Sequence, residues 1–207
     1  MALNKQAKIL TPKQQELTLS YLERTRYPLR NKIIFMLSYK AGLRAKEIAS
    51  LSWSMVCDSE GNLSREINLI NKASKGKQSG RIIPLHKDLA VLLTELLSKQ
   101  QKDEHFNLTN RIITTERDNK TSPQAIVNFF YNLYKEIGFE GCSSHSGRRT
   151  FITSAAKNIS LAGGTLNDIR MLAGHSTLAT TQRYIEYNTD AQKKICLLYT
   201  SPSPRDA

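Results

Sequence analysis

Hydrophobic positions along this chain follow two rhythms, a helical one before about residue 53 and after about residue 85, and a strand-like one between. Within residues 30–40, Ile33, Ile34, Leu37 and Ser38 recur at helical spacing, which predicts a helix burying an Ile/Met/Leu face. Ahead of it, Thr11 then Pro12 reads as an N-cap with proline at the first helical position, opening a helix to about Glu23, and Tyr27-Pro28 separates the two. Gly42 ends the second helix, so Arg44 opens a short third one in which Glu47 and Ile48 face different environments. Residues 53–57, 66–70 and 81–85 are short β-prone runs separated by Asp58-Ser59-Glu60-Gly61-Asn62 and by a Lys/Gly/Ser segment around Gly76, which predicts a small antiparallel meander. The helical rhythm returns over about 87–99, 122–137, 146–158, 165–173 and 177–186, with 103–110 a loop. Tyr131 and Tyr134 fall on the aromatic face of the helix that Pro123 opens and read as core. Thr165 with Asp168 three residues on forms a capping box. With no internal repeat and no linker, the pattern implies one α+β, mainly helical domain over residues 1–195.

Composition narrows the setting. Lysine and arginine number 30 against 18 acidic residues, a net charge of +12, which favours a polyanionic partner, although charge alone fits a merely basic protein equally well. Cys57, Cys142 and Cys196 have no paired spacing, so neither a disulfide framework nor a zinc site is expected, and a reducing compartment fits. Four scattered histidines form no metal-ligand spacing, and no cofactor is expected. No apolar run is long enough to cross a bilayer and no secretory signal opens the chain, so a cytoplasmic location is expected. Residues 196–207 resemble a translated sequencing-library adapter and are set apart as a non-native or disordered tail; the native chain is then expected to continue past about Ile195.

Chemistry concentrates near the C-terminal end. His145-Ser146-Gly147-Arg148-Arg149 places His145 and Arg148 three apart, on one face of a helix. Then comes Leu172-Ala173-Gly174-His175-Ser176-Thr177-Leu178-Ala179-Thr180-Thr181-Gln182-Arg183-Tyr184. Nine residues at the helical period set His175 and Tyr184 about half a turn apart, so a break is required. Gly174 can end one helix in a left-handed conformation and Ser176 or Thr177 can cap the next, leaving His175 on the turn and Tyr184 projecting from the second helix. Two further segments matter upstream: Ala41-Gly42-Leu43-Arg44-Ala45-Lys46-Glu47-Ile48, and Ser74-Lys75-Gly76-Lys77 followed by Arg81-Ile82-Ile83-Pro84-Leu85.

Taken together and in this order, over roughly residues 8–195, these segments resemble the tyrosine recombinases, the phage integrase family. The resemblance implies that family's catalytic-domain fold and a DNA strand breaking-and-rejoining activity, with double-stranded DNA as partner and a homo-tetramer on paired sites. It assigns Tyr184 as the nucleophile that forms a 3′-phosphotyrosine, and Arg44 and Arg148 as the arginines on the phosphate. It also assigns His145 to general-base work, His175 to a hydrogen bond on the phosphate, and Glu47 to support of Arg44. The proton for the leaving 5′-oxygen falls to a hairpin lysine, Lys75, with Lys72 and Lys77 open because the turn is about one residue longer than usual. The chemistry suits these residue types. Planar, permanently charged guanidinium forks match the extra charge that builds on a phosphodiester under attack. A phenol titrating near ~10 needs adjacent positive charge or a base. Lys77 and Arg81 are also candidates for backbone phosphates.

The resemblance has gaps. Arg149 stands where the family commonly has histidine, and Ala173 where leucine is commoner. Nothing before Thr11 is long enough for the N-terminal helical domain of most relatives, which points to the short, catalytic-domain-only kind. Two other readings share the residues: a type IB topoisomerase-like enzyme, and a non-catalytic DNA-binding protein descended from a recombinase.

Overall fold

Helix α2 (Pro28–Tyr39) carries hydrophobic residues all round rather than on one stripe, and the rest of the chain is built about it. The computed structural model describes residues 6–70, 80–115 and 118–184. Residues Ile33 to Tyr39 are buried without interruption, under α1 (Pro12–Leu22), α3 (Ala45–Ser50), α4 (Lys87–Gln100) and α6 (Ser146–Asn158). The approach to α6 is close. A Cβ on Gly147 would lie 3.2 Å from the backbone carbonyl carbon of Ser38 and would overlap its hydroxyl, so only glycine lets the helices meet there. This contact places the following residue, Arg148, at the end of α2.

Predicted helices recur with small shifts at their ends. Thr11 caps α1 through a reciprocal box with Gln14 (3.0 and 3.3 Å), and Thr165 with Asp168 caps α7 (Leu166–Ala173). A short 3-10 turn at Ile159–Ala162, unforeseen in the pattern, joins α6 to α7. On α5 (Pro123–Glu136) the buried set is Ile126, Phe130, Leu133 and Tyr134, but Tyr131 is 64% exposed. One residue beyond Phe130 means about 100° of rotation, which carries Tyr131 off the stripe.

The sheet is smaller than expected. Strands β1 (Glu66–Leu69) and β2 (Arg81–Pro84) pair antiparallel with Glu66 opposite Pro84 and Leu69 opposite Arg81. The run beginning at Trp53 is not a strand but a 3-10 turn, Trp53–Met55, followed by a single bridge from Cys57 to Leu63. Trp53, Met55 and Val56 are all buried, and adjacent residues cannot share one face of a strand. The Trp53 indole instead donates to Gln100 Oε1 at 2.6 Å, locking the turn to the end of α4.

Among the described residues two apolar clusters result. The larger gathers Phe35, Trp53, Phe130, Leu43, Ile67, Leu89 and their neighbours. The smaller joins Ile152, Ile169 and Ala173, with Phe151, Ile159, Leu166 and Tyr184 against them. Among the described residues no helix is long and apolar enough to cross a membrane.

Candidate active site

The C-terminal end of α7 organises the site. The last carbonyls of any helix lack intrahelical partners, and here three consecutive ones each accept from a different arginine. Arg81 Nε donates to Leu172 O at 2.9 Å, Arg148 Nη2 to Ala173 O at 2.6 Å, and Arg44 Nη2 to Gly174 O at 3.0 Å. Arg148 also donates to Gly42 O, a left-handed glycine two residues past the Lys40 C-cap of α2, so its guanidinium bridges the C-terminal end of α7 and the turn that follows α2. The end of α7 carries partial negative charge, which favours a cation there.

Glu47 binds two of the three. Its carboxylate takes both Nη atoms of Arg81 (2.8 and 3.0 Å), Nη1 of Arg44 (2.9 Å) and the Arg44 backbone N–H (2.7 Å). Burial pushes its pKa up, but the bonds and charge of Arg81, and then Arg44, outweigh that and hold it below the ordinary carboxylate value. The support for Arg44 expected of Glu47 is present. Arg81 is different from expectation: it is buried in this network rather than exposed to backbone phosphates. Its position at the start of β2 was visible in the sequence; its partner was not, since Glu47 lies 34 residues away.

Three guanidinium charges gathered about one carboxylate leave an excess of positive charge at one point. Arg148 feels it: burial first, then Arg44, moves its pKa down to about 9, still protonated at neutral pH. His175 follows directly on this end of α7. Gly174 takes φ +61° and ψ +47°, closing α7, and Thr177 caps α8 (Leu178–Gln182) by accepting from Thr180 N, as the motif implied. A side chain at Gly174 would be doubly excluded, because its Cβ would sit 2.8 Å from Arg81 Nη1. His175 is 7% exposed, and burial, then Arg148, Arg44 and Arg81, lower its pKa to about 4. It is therefore neutral at pH 7.

Tyr184 returns to the same place from the end of α8. Its ring stacks on the His175 imidazole, centroids 5.4 Å apart and planes 22° apart, and Tyr184 lies within electrostatic reach of Arg148. The fold thus brings Arg44, Arg148, His175 and Tyr184 together. His145 is the exposed N-cap residue of α6, with Nδ1 3.5 Å from Ser144 Oγ, and the described contacts do not join it to the cluster. Lys75, with Lys72 and Lys77, lies outside the described residues, as does the segment 196–207. Arg149, whose place in the motif was open, donates to Ala7 O at 3.0 Å and ties the N-terminal segment to α6.

Comparison with known proteins identifies the family and the fold. The model of the phage integrase family matches residues 8–190. Tyrosine recombinase XerA of Thermococcus onnurineus (strain NA1) is 30% identical over 176 residues, covering 82% of this chain and 56% of the relative. The chain thus spans little more than half the length of that relative. Among solved structures, the crystal structure of XerA recombinase superposes with a TM-score of 0.68 at 22% identity, covering 96% of this chain and 67% of that one. The Tn1549 transposon integrase in complex with transposon right end DNA gives 0.70 at 18% identity, covering 94% and 66%. Both likenesses establish the fold.

Proposed function

Because the chain belongs to the phage integrase family, the tyrosine recombinases, we propose that it is a site-specific recombinase that cuts and rejoins DNA strands through Tyr184. The observation that carries this reading is the tyrosine stacked on a neutral histidine beside an arginine cluster with surplus positive charge. In this reading the scissile phosphate sits against Arg44 and Arg148, whose forks hold its non-bridging oxygens as charge builds on them. The Tyr184 phenolic oxygen attacks phosphorus, losing its proton to a base for which His145 is the candidate, and forms the 3′-phosphotyrosine bond as the 5′-oxygen leaves. Lys75 supplies the proton that converts this oxygen to a 5′-hydroxyl. His175, uncharged, adds a hydrogen bond to the phosphoryl group. Attack by a new 5′-hydroxyl reverses the sequence and reseals the strand without outside energy, because the phosphotyrosine conserves the bond. The partner is double-stranded DNA carrying two recombination sites, engaged by a homo-tetramer in the cytoplasm. XerA and the transposon integrase support the assignment by what they are.

The test is a nicked duplex built from the sequence flanking the gene, incubated with the protein in EDTA and resolved on denaturing gels. A protein–DNA adduct absent in Tyr184→Phe is expected, with DNA affinity unchanged. Firm binding without an adduct would turn the reading to a binding protein alone; an adduct with supercoil relaxation at unpaired sites would turn it to a topoisomerase.

A further inference from the structure

Beyond the residues assigned above, α8 contributes a second side chain to His175. Thr181 lies in α8, three residues before Tyr184 in the turn that follows the helix, and is fully buried. Its Oγ1 is 2.9 Å from His175 Nδ1, so Tyr184 covers the flat of the imidazole while Thr181 meets its edge. We propose that Thr181 is a positioning residue that fixes His175 as the neutral tautomer with its proton on Nε2, keeping that nitrogen a hydrogen-bond donor. The proposal rests on the reading that this cluster holds a phosphoryl group, which needs a donor there.

The direction of the bond follows from the hydroxyl. A threonine within a helix commonly donates to the carbonyl four residues back. Thr18 does so to Gln14 O (2.7 Å), and Thr150 to Ser146 O (2.8 Å). Thr181 does not; among the described residues its hydroxyl has His175 Nδ1 as its hydrogen-bond partner. A buried hydroxyl proton left unshared is costly, so Oγ1 donates and Nδ1 accepts. A neutral imidazole that accepts at Nδ1 carries its proton on Nε2. The charged form would reverse this bond and leave the Thr181 proton without an acceptor, so the same contact opposes protonation alongside burial and the arginines. A threonine kept merely for packing would not care which nitrogen bears the proton.

Two substitutions separate these roles in the full 207-residue chain. Thr181→Val keeps the shape and removes the hydroxyl; Thr181→Ser keeps the hydroxyl and removes a methyl. Two-bond 1H–15N spectra of the His175 ring are expected to show the Nε2–H pattern in the unaltered protein and in Thr181→Ser, and a mixture in Thr181→Val. Single-turnover cleavage of the nicked duplex is expected to fall about tenfold in Thr181→Val at unchanged DNA affinity, and to be restored in Thr181→Ser. An Nδ1–H pattern in the unaltered protein overturns the proposal, and so does a Thr181→Val protein with unaltered tautomer or cleavage rate. Should Thr181→Val not fold, the unaltered chain's own spectrum decides. The spectra need no DNA, so an Nε2–H tautomer in a protein that forms no adduct upholds the placement of Thr181 and counts against the recombinase reading instead.

Discussion

The body around α2 and the outer layer of α7 and α8 are held together by different means, and the site draws on both. In the body, aromatic and branched side chains such as Phe35, Trp53 and Phe130 are fully buried in one large cluster. Among the described residues the outer layer has two buried apolar residues, Ile169 and Ala173, packed on Ile152 of α6, and is fastened instead by arginines on the carbonyls of residues 172–174. The body thus supplies the fixed charge: Arg44 leaves it just after α2, Arg81 from β2, and Arg148 from the α6 face that packs on Ser38. The outer layer supplies His175, Thr181 and Tyr184. Apolar burial resists opening in proportion to the area removed from water, whereas ionic and polar fastenings depend on every partner being in place. A layer held mainly by the latter opens locally at lower free energy than the core.

Removing the shared carboxylate attacks that fastening directly. Glu47→Gln is expected to destabilise the protein by about 3–5 kcal/mol, as much as a large core truncation such as Phe35→Ala, because Arg81 is left buried without its counter-charge. Urea denaturation gives both values, and hydrogen exchange separates them: Glu47→Gln speeds exchange first at 166–182, Phe35→Ala throughout α2. An equal pattern in the two variants would mean that layer and body open as one unit. With Glu47 held below its ordinary pKa, its contribution is present above about pH 4.5 and is lost as pH falls through the native value.

A smaller effect tests the joint alone. Gly174→Ala forces a left-handed alanine and pushes Arg81 aside, at an expected cost of about 1–2 kcal/mol, with most of its consequence in the adduct assay. Full adduct formation in a destabilised Gly174→Ala protein would show that the arginine contacts on α7 are structural only.

The smallest effect comes from His175. Its native pKa, about 4, lies below its ordinary 6.5, so between these values the unfolded chain binds a proton that the native one does not. Stability therefore declines as pH falls from 6.5 towards 4, by about 1 kcal/mol between pH 7 and 5.5. His175→Gln should lose that increment of the slope, measured by denaturation at pH 7 and 5.5.

Much of this was legible in the chain. Thr11-Pro12, Thr165 with Asp168, and Gly174 with Thr177 marked helix ends because capping is local chemistry between residues a few positions apart, whereas α2 closes at Lys40, two residues before the expected Gly42. The candidate residues Arg44, Arg148, His175 and Tyr184 could be named for the same reason, each sitting in a short segment of recognisable composition. The Trp53 run and Tyr131 misled because alternation and aromatic content say that a residue is apolar, not which way it turns.

The sequence by itself determined the helix ends, the surplus of positive charge and the order of the reactive segments, all properties of neighbours along the chain. Only the tertiary structure decided that Arg81 is bound to Glu47 rather than free for phosphate, and that His175 is buried and neutral. It alone decided that three arginines from three elements meet three consecutive carbonyls of α7. Those contacts join residues 25 to 130 positions apart, and their strength comes from removing charge from water, which no local pattern of residues encodes.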